Sequence, residues 1–556
     1  MHLLTRLLRV APLAGITLLV AACTASQPAP APATVGSSGP VQPKVNRVVM
    51  AVVPPAMETN ESRLVGQPDA WQLRPMYEYL IGVDVDSGKL IPQLATSWKL
   101  EADGRAFRFP LRPGVAFHND LGEFTAKDVG AVWKDTSKED TLNQFGPYFR
   151  RTVRSIDASN DHEVVFGLAV TDGNFLSASS QQESGLEMRS AADMAQRGPG
   201  TMLTSPTAGT GPYQFKERSQ GSYVRYSRTP YQHWRITPDF PEFEFRWMKE
   251  ASTRLASLIS GEVHLAGLPQ DLSDQASKQG FTNVRGRAPG FRAFFSLYCC
   301  FLNAPLDSSK GMMFPDSPLM DVRVRQALNK AVDRDAVNKA FFAGKGQVMY
   351  NTHFHPSRPG WNPAWETQFA AQYGYDPEKA RDLLAQAGYG PSRPLTTSMF
   401  LGAAAGISGA EDIEEAVAGY FRSVGATVNL VTVDPTEKSN GRRGYRFSNH
   451  LDLIGTSSNL LLGSMVYNSG LMSPLTGASD PEVNEVLKVL AQTLDEEKQS
   501  DLWRKAGDLM YGKFLNVPLF WVQASIETNP RIVGDFPWPG SISGTWTHVE
   551  NIKASR

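Results

Sequence analysis

After residue 20, apolar residues never accumulate in this chain to the length of a membrane span, and that constrains its fold more than any motif does. The run at residues 10–20 is itself too short for a bilayer core, which needs about 20 apolar residues. The remaining hydrophobic side chains are therefore expected to build the core of a globular body. With 556 residues, 41% hydrophobic and 20% charged, it has the make-up of an ordinary soluble globule of more than one domain. The formal net charge of -1 leaves no basic footprint for a polyanion, so no nucleic-acid partner is expected.

Arg6 and Arg9 precede the short apolar run, and Val20, Ala21, Ala22 and Cys23 close it. A basic n-region followed by a short h-region is the pattern of a secretory signal. Small residues directly ahead of a cysteine resemble the bacterial lipobox, in which the thiol is diacylated and the peptide is cut just before it. The expectation is a periplasmic or cell-surface protein with a signal peptide at 1–22 and a mature chain starting at lipidated Cys23. At about 0.8 kcal/mol per buried methylene, its acyl chains would hold a soluble domain at a membrane. Residues 23–45 are rich in Pro, Ala and Ser, cannot bury enough surface to fold, and read as a flexible tether. Cys299 and Cys300 are the other two cysteines. Neighbouring cysteines close a disulfide only in strained geometry, so both are read as small apolar strand residues.

From about residue 46 onward, short strands alternate with capped helices. Phe107, Phe109 and Leu111 recur at period two ahead of Arg112, Pro113 and Gly114, which predicts a strand entering a turn. Thr125 with Asp128 three residues on predicts a capping box, and Val129, Val132 and Trp133 supply the stripe of the helix that follows. Asp321 is placed to cap a helix carrying Val324, Ala327, Leu328 and Ala331, with a second helix starting from Asp333 or Asp335. Asp376 and Pro377 open another, which Gly388 ends. Two more helical stripes follow, through Val483, Val486, Leu487, Leu490 and Leu494 and then Leu502, Ala506 and Leu509. The sum is an α/β body with helices packed on sheets.

Several blocks of this body carry a resemblance: LATSWKLEADG at 94–104 with FTAKDV at 124–129, GTGPYQF at 209–215, LISGEVHL at 258–265, PLMDVRVRQALNKAVDRDAV at 318–337, YDPEKARDLLAQAGY at 375–389, and the ending THVE at 547–550. In order and spacing they resemble extracellular solute-binding protein family 5, the oligopeptide-, dipeptide- and nickel-binding receptors of ABC importers. The resemblance implies a two-lobed periplasmic-binding-protein fold of the cluster C type, with an additional accessory domain. Lobe I would comprise residues 46–83, 206–293 and 516–556, the accessory domain 84–205, and lobe II 294–515. It also implies a monomer that captures a small solute, peptide-like or another polar organic molecule, between lobes that close about a hinge. The implied partners are an ABC permease and ATPase complex, and the membrane through the N-terminal lipid. No cofactor, metal or catalytic residue is implied.

Along 291–302 the odd positions from Phe291 to Phe301 are apolar, while the even ones include Arg292, Ser296 and Tyr298. Such a strand buries one face and offers the other to solvent or to something polar. Because the resemblance puts it at the lobe junction, the second face is read as cleft, with Phe294 and Tyr298 as ligand walls. Trp71, Trp361, Phe520, Trp521 and Trp538 are further aromatic candidates, each with a core residue as the alternative. Trp521 stands first among them, since the stretch 518–521 is similar to the family strand that carries a ligand-facing aromatic.

In peptide-binding members, the segment after a block like 451–454 carries a tryptophan and then an acid that pairs with the peptide's amino group. Here residues 455–463 have neither. A buried ammonium without a counter-charge costs several kcal/mol, roughly, so the expectation shifts to a hydroxylated or uncharged solute hydrogen-bonded by Ser457, Ser458 and Asn459. Arg442, Arg443 and Arg446 lie just upstream, with Arg446 the nearest to a family ligand-side arginine; a solvated basic loop is the alternative. His264 stands where many members have aspartate. No G-x-S-x-G elbow or P-loop occurs, and His162 with Glu163 lacks the second histidine of a zinc helix, so no enzyme is expected. His353 and His355 lack identifiable metal partners and are read as a surface loop. A sensing or chaperone lipoprotein of the same fold, and less favourably a hydrolase, are the alternatives.

Overall fold

The structure, a computed structural model, describes residues 42–556 apart from 56, 67, 68, 144, 198–207, 288–290, 300, 302, 304–307, 403, 405, 406, 408, 435, 436, 439, 440, 442–444, 457–479 and 541–545. Cys23 and the tether up to residue 41 therefore lie outside the described residues, as do Ser457, Ser458 and Asn459.

Three sheets organise the chain. A seven-stranded sheet runs in the order Thr282–Arg285, Ser525–Thr528, Leu265–Ala266, Arg47–Val52, Glu242–Trp247, Tyr223–Arg228, Tyr213–Ser219. A six-stranded sheet runs Gln347–Val348, Asn516–Val522, Phe291–Tyr298, His450–Thr456, Thr396–Leu401, Thr427–Thr432. A four-stranded sheet, Lys99–Leu100, Ala106–Pro110, Glu163–Leu168 and Val153–Asn160, lies within the segment inserted between strands of the first. The sheets have separate apolar cores, around Phe243 and Phe245, around Phe295 and Leu451, and around Phe109 and Phe166. Both Phe291–Tyr298 and Asn516–Val522 pair within the six-stranded sheet, so the chain changes sheet just before the first and just after the second. The expected boundaries at 293 and 516 each cut a strand from its partners.

Local signals decided the helices. The Thr125 and Asp128 side chains form the reciprocal capping box of Ala126–Thr136. Asp321 accepts from the Arg323 N–H to cap Val322–Ala331, Asp333 caps Arg334–Phe342, and Asp376 caps Pro377–Gln386. Gly388 takes φ +86°, the left-handed conformation that lets the chain leave that helix. The later stripes form Pro481–Gln492 and Glu496–Gly512, and Leu494 falls in the turn between them.

Two expectations need correction. Strand Phe291–Tyr298 has no open polar face: all eight positions are buried, because its second face is covered as fully as its first. Cys299 is disulfide-bonded rather than a simple apolar strand residue. The strand ends at Tyr298, and Cys299 stands in the turn beyond it, away from the pleat that sends successive side chains to opposite faces.

His264 receives a structural account. Its Nδ1 accepts the Val49 N–H at 3.0 Å, while its own N–H donates to the Val49 carbonyl at 2.8 Å and its carbonyl accepts from Asn529 at 2.9 Å. Burial lowers the imidazole's pKa, which keeps it neutral and able to accept.

Candidate functional site

The six-stranded sheet presents two chemically different faces. On one, Ala293, Phe295 and Leu297 join Leu451, Leu453, Val517 and Leu519 in the core beneath the helices. On the other, Arg292, Phe294, Ser296 and Tyr298 stand beside Asp452, Ile454 and Trp521, the register partners being Tyr298–His450, Ser296–Asp452, Phe294–Ile454 and Arg292–Trp521. A bulge between Ala293 and Phe294 shifts the register against Asn516–Val522. It lets the adjacent Leu519 and Phe520 both join the helical core, while ordinary alternation sends Trp521 to the Phe294 group.

At the end nearest the sheet crossings, Phe294, Met349, Ile454 and Trp521 form an apolar cluster with polar groups around it. Arg292, fully buried, directs Nη1 at Nδ1 of His353, which is also buried and has φ 78°. Burial, and secondarily the Arg292 charge, hold His353 well below the usual imidazole range, so the ring is neutral and Nδ1 accepts. Phe294 meets His353 edge-on at 5.3 Å, and Trp521 meets His355 edge-on at 5.2 Å. His355, pushed down to about 4 by burial, contacts Ser357 Oγ at 2.8 Å and Gln347 Oε1 at 3.3 Å. The surface-loop reading therefore fails for His353, which a long-range contact with Arg292 draws under the sheet. No cluster of metal ligands occurs among the described residues.

At the other end lies an ionic cluster. Asp452, with no exposed side-chain surface, faces Lys438 Nζ at 2.5 Å and accepts from the Tyr298 hydroxyl at 3.3 Å. Lys438 also lies over the Phe400 ring at 5.1 Å, and that ring stacks on His450 at 5.1 Å. The fully buried Glu414 accepts from the Gly402 N–H at 2.8 Å and is pushed up to about 8, chiefly by burial.

The sequence candidates divide accordingly. Phe294 and Trp521 come together, and Tyr298 shares their sheet face at the ionic end. Phe520 is a core residue against Phe342 at 5.2 Å. Trp71 is buried edge-on to Phe245 and Trp247, and Trp538 stacks between Phe536 and Trp546, both in the core of the seven-stranded sheet. Trp361 sits at the edge of the helical core, against Trp365 at 5.5 Å and Tyr350 at 6.2 Å. Arg446 is exposed, 3.6 Å from Glu437, and lines a cavity of about 350 Å³ with Thr432, Val433, Asp434, Glu437 and Phe447. Sequence reasoning missed His353, Lys438 and Asp452 as members of these clusters. The one available signal was a lone carboxylate at Asp452 inside an otherwise apolar strand.

Residues 89–460 match the model of the bacterial extracellular solute-binding proteins, family 5. The dipeptide-binding protein of Escherichia coli is 26% identical over 330 residues, covering 56% of this chain and 58% of that protein. Heme-binding protein A of Haemophilus influenzae is 24% identical over 488 residues, covering 83% and 84%. Among solved structures, the periplasmic binding protein DppA of Helicobacter pylori, in complex with the peptide STSA, superposes with a TM-score of 0.73 at 19% identity over 92% of this chain and 98% of that one. The alignment with the Escherichia coli protein thus spans less than two thirds of its length. The fold is the expected two-lobed, mixed α/β architecture of periplasmic binding proteins.

Proposed function

This chain belongs to family 5 of the bacterial extracellular solute-binding proteins, and from that premise we propose that it captures a small organic solute between its two large lobes and presents it to an ABC permease. The proteins it resembles are binding proteins rather than enzymes. The observation that carries the proposal is the sheet face of Arg292, Phe294 and Trp521, beside the points where the chain changes sheet. There a buried guanidinium, a neutral imidazole and aromatic rings converge, covered by the chain itself in this state, a mixed apolar and polar set suited to an organic solute once that cover moves aside. The lobes in this reading are the bodies built on the seven-stranded and six-stranded sheets, with the four-stranded sheet as accessory domain. Strand pairing supports lobe II from 291 to 522, wider than the family pattern implied by the first three residues of one strand and by the whole of another.

Peptide-like solutes fit the relatives' names, while the sequence at 455–463, lacking tryptophan and carboxylate, favours a solute without a buried ammonium. Mass spectrometry of small molecules released on denaturing the purified protein tests the reading. A stoichiometric organic solute is expected; a protein that carries none and binds none from a library of peptides and hydroxylated acids would refute it.

The anchor belongs to the same proposal. Among the described residues no helix is long and apolar enough to cross a membrane, and Cys23 supplies the lipid site. Cys23→Ser should move the protein from the membrane fraction to the soluble or unprocessed form; unchanged retention after carbonate washing would overturn it.

A further inference from the structure

The inserted segment that carries the four-stranded sheet is bound to the first lobe by many backbone contacts. The Leu142 and Asn143 N–H groups both donate to the Arg63 carbonyl, at 2.9 and 3.0 Å, and the His118 N–H donates to the Gly209 carbonyl at 2.9 Å. Asn143 Nδ2 adds bonds to the Ser62 and Val65 carbonyls at 3.1 and 2.8 Å. Toward the second lobe it extends the turn at Gly173. The Gly173 N–H donates to the Ala491 carbonyl at 2.8 Å, at the last turn of Pro481–Gln492. A Cβ on Gly173 would stand 2.5 Å from the Thr493 carbonyl oxygen and 2.8 Å from Gln499 Nε2. Gln499 Nε2 itself holds that carbonyl at 2.6 Å, so the backbone oxygen is not free to give way. Beside this contact, Leu494 Cδ1 lies 3.7 Å from the Cβ position of Gly104.

The turn is stiff on its own side. The Tyr148 hydroxyl donates to Asp172 at 2.6 Å and the Asn174 N–H donates to the same carboxylate at 2.8 Å, tying the residues flanking Gly173 into the accessory core. Gly173 does not have a positive φ, so what requires glycine here is the approach of the other lobe and not its own backbone conformation.

We infer that the Gly173 turn of the accessory domain is a latch, which grips the 491–494 turn when the lobes are together and must let go when they part. The inference rests on the solute-receptor reading for its purpose, and on the contact alone for its existence. Among the described residues the chain crosses between the two large sheets after Thr282–Arg285 and after Asn516–Val522, and neither crossing involves this turn. Separation of the lobes therefore breaks the Gly173–Ala491 bond while leaving the bonds between the accessory domain and the first lobe intact. The accessory domain thereby biases the open–closed equilibrium without touching solute.

The test needs no ligand. Gly173→Ala is compared with wild type by small-angle scattering and by hydrogen exchange. Leu494→Glu, on a partly exposed side chain of the opposite face, serves as a second variant should the first fail to fold. Expected are a larger radius of gyration and about tenfold faster exchange in peptides covering 171–175 and 489–494. Exchange in the four-stranded sheet should be unchanged. Variants as compact and as protected as wild type, or a wild type already as expanded as the variants, would overturn the latch. Because no solute enters the measurement, a failed latch and a failed receptor reading give separate results.

Discussion

Glu414 offers the sharpest test of how lobe II is held together. Its carboxyl is buried in helix Ala410–Ser423, one oxygen taking the Gly402 N–H and the other, Oε1, having no hydrogen-bond partner among the described residues. Burial raises its pKa to about 8, with Asp452 adding to the rise and Gly402 and Lys438 opposing it. In the folded state the proton is held until about pH 8, whereas in the unfolded chain it is lost near 4.5. The proton's contribution to stability is thus fully present below pH 4.5, drains away as pH rises, and is gone above about 8. At about 1.36 kcal/mol per pH unit, the wild type should lose up to roughly 4 kcal/mol between pH 5 and 8, reduced to about 2 kcal/mol by relaxation and water penetration around the carboxylate once it charges. Glu414→Gln removes the charge and keeps an acceptor for Gly402, so this loss should disappear. Urea unfolding at pH 5 and pH 8 reads the difference. With m about 3 kcal/mol/M or more for a chain of this size, the wild-type midpoint should fall by up to roughly 0.7 M more than the variant's. Parallel pH profiles for the two proteins would refute the argument.

Other changes probe neighbouring contacts. Lys438→Met removes the cation 2.5 Å from the buried Asp452 and should destabilise lobe II by about 3 kcal/mol in thermal or urea unfolding. His264→Ala removes the acceptor of the Val49 N–H and should cost about 1–2 kcal/mol; hydrogen exchange at Val49 should accelerate. Lys345 and Asp274 pair between the two lobes at 3.1 Å, with both side chains about two-fifths exposed. Lys345→Ala should therefore change stability by less than about 0.5 kcal/mol, and whatever change occurs should vanish in high salt.

The helices were legible in the sequence because their determinants are local. Thr125, Asp321, Asp333 and Asp376 satisfy backbone N–H groups two or three residues away, a distance fixed by the chain itself. The family and the two-lobed fold were legible for a related reason, since ordered motif blocks record which segments build which layer. The tertiary structure alone decided which aromatic side chains share a surface. Trp71, Trp521 and Trp538 have equivalent chemistry, yet two fill the core of the seven-stranded sheet and one joins Phe294. Period-two alternation correctly separated the two faces of Phe291–Tyr298 and then misjudged the polar one. What covers that face comes from elsewhere in the chain, such as His353, 61 positions from Arg292, and Lys438, which meets the Asp452 carboxylate of the same face. A strand's pattern states which side chains point together; what meets them is set by chain returning from elsewhere, and the closure of that long loop is written in no local window.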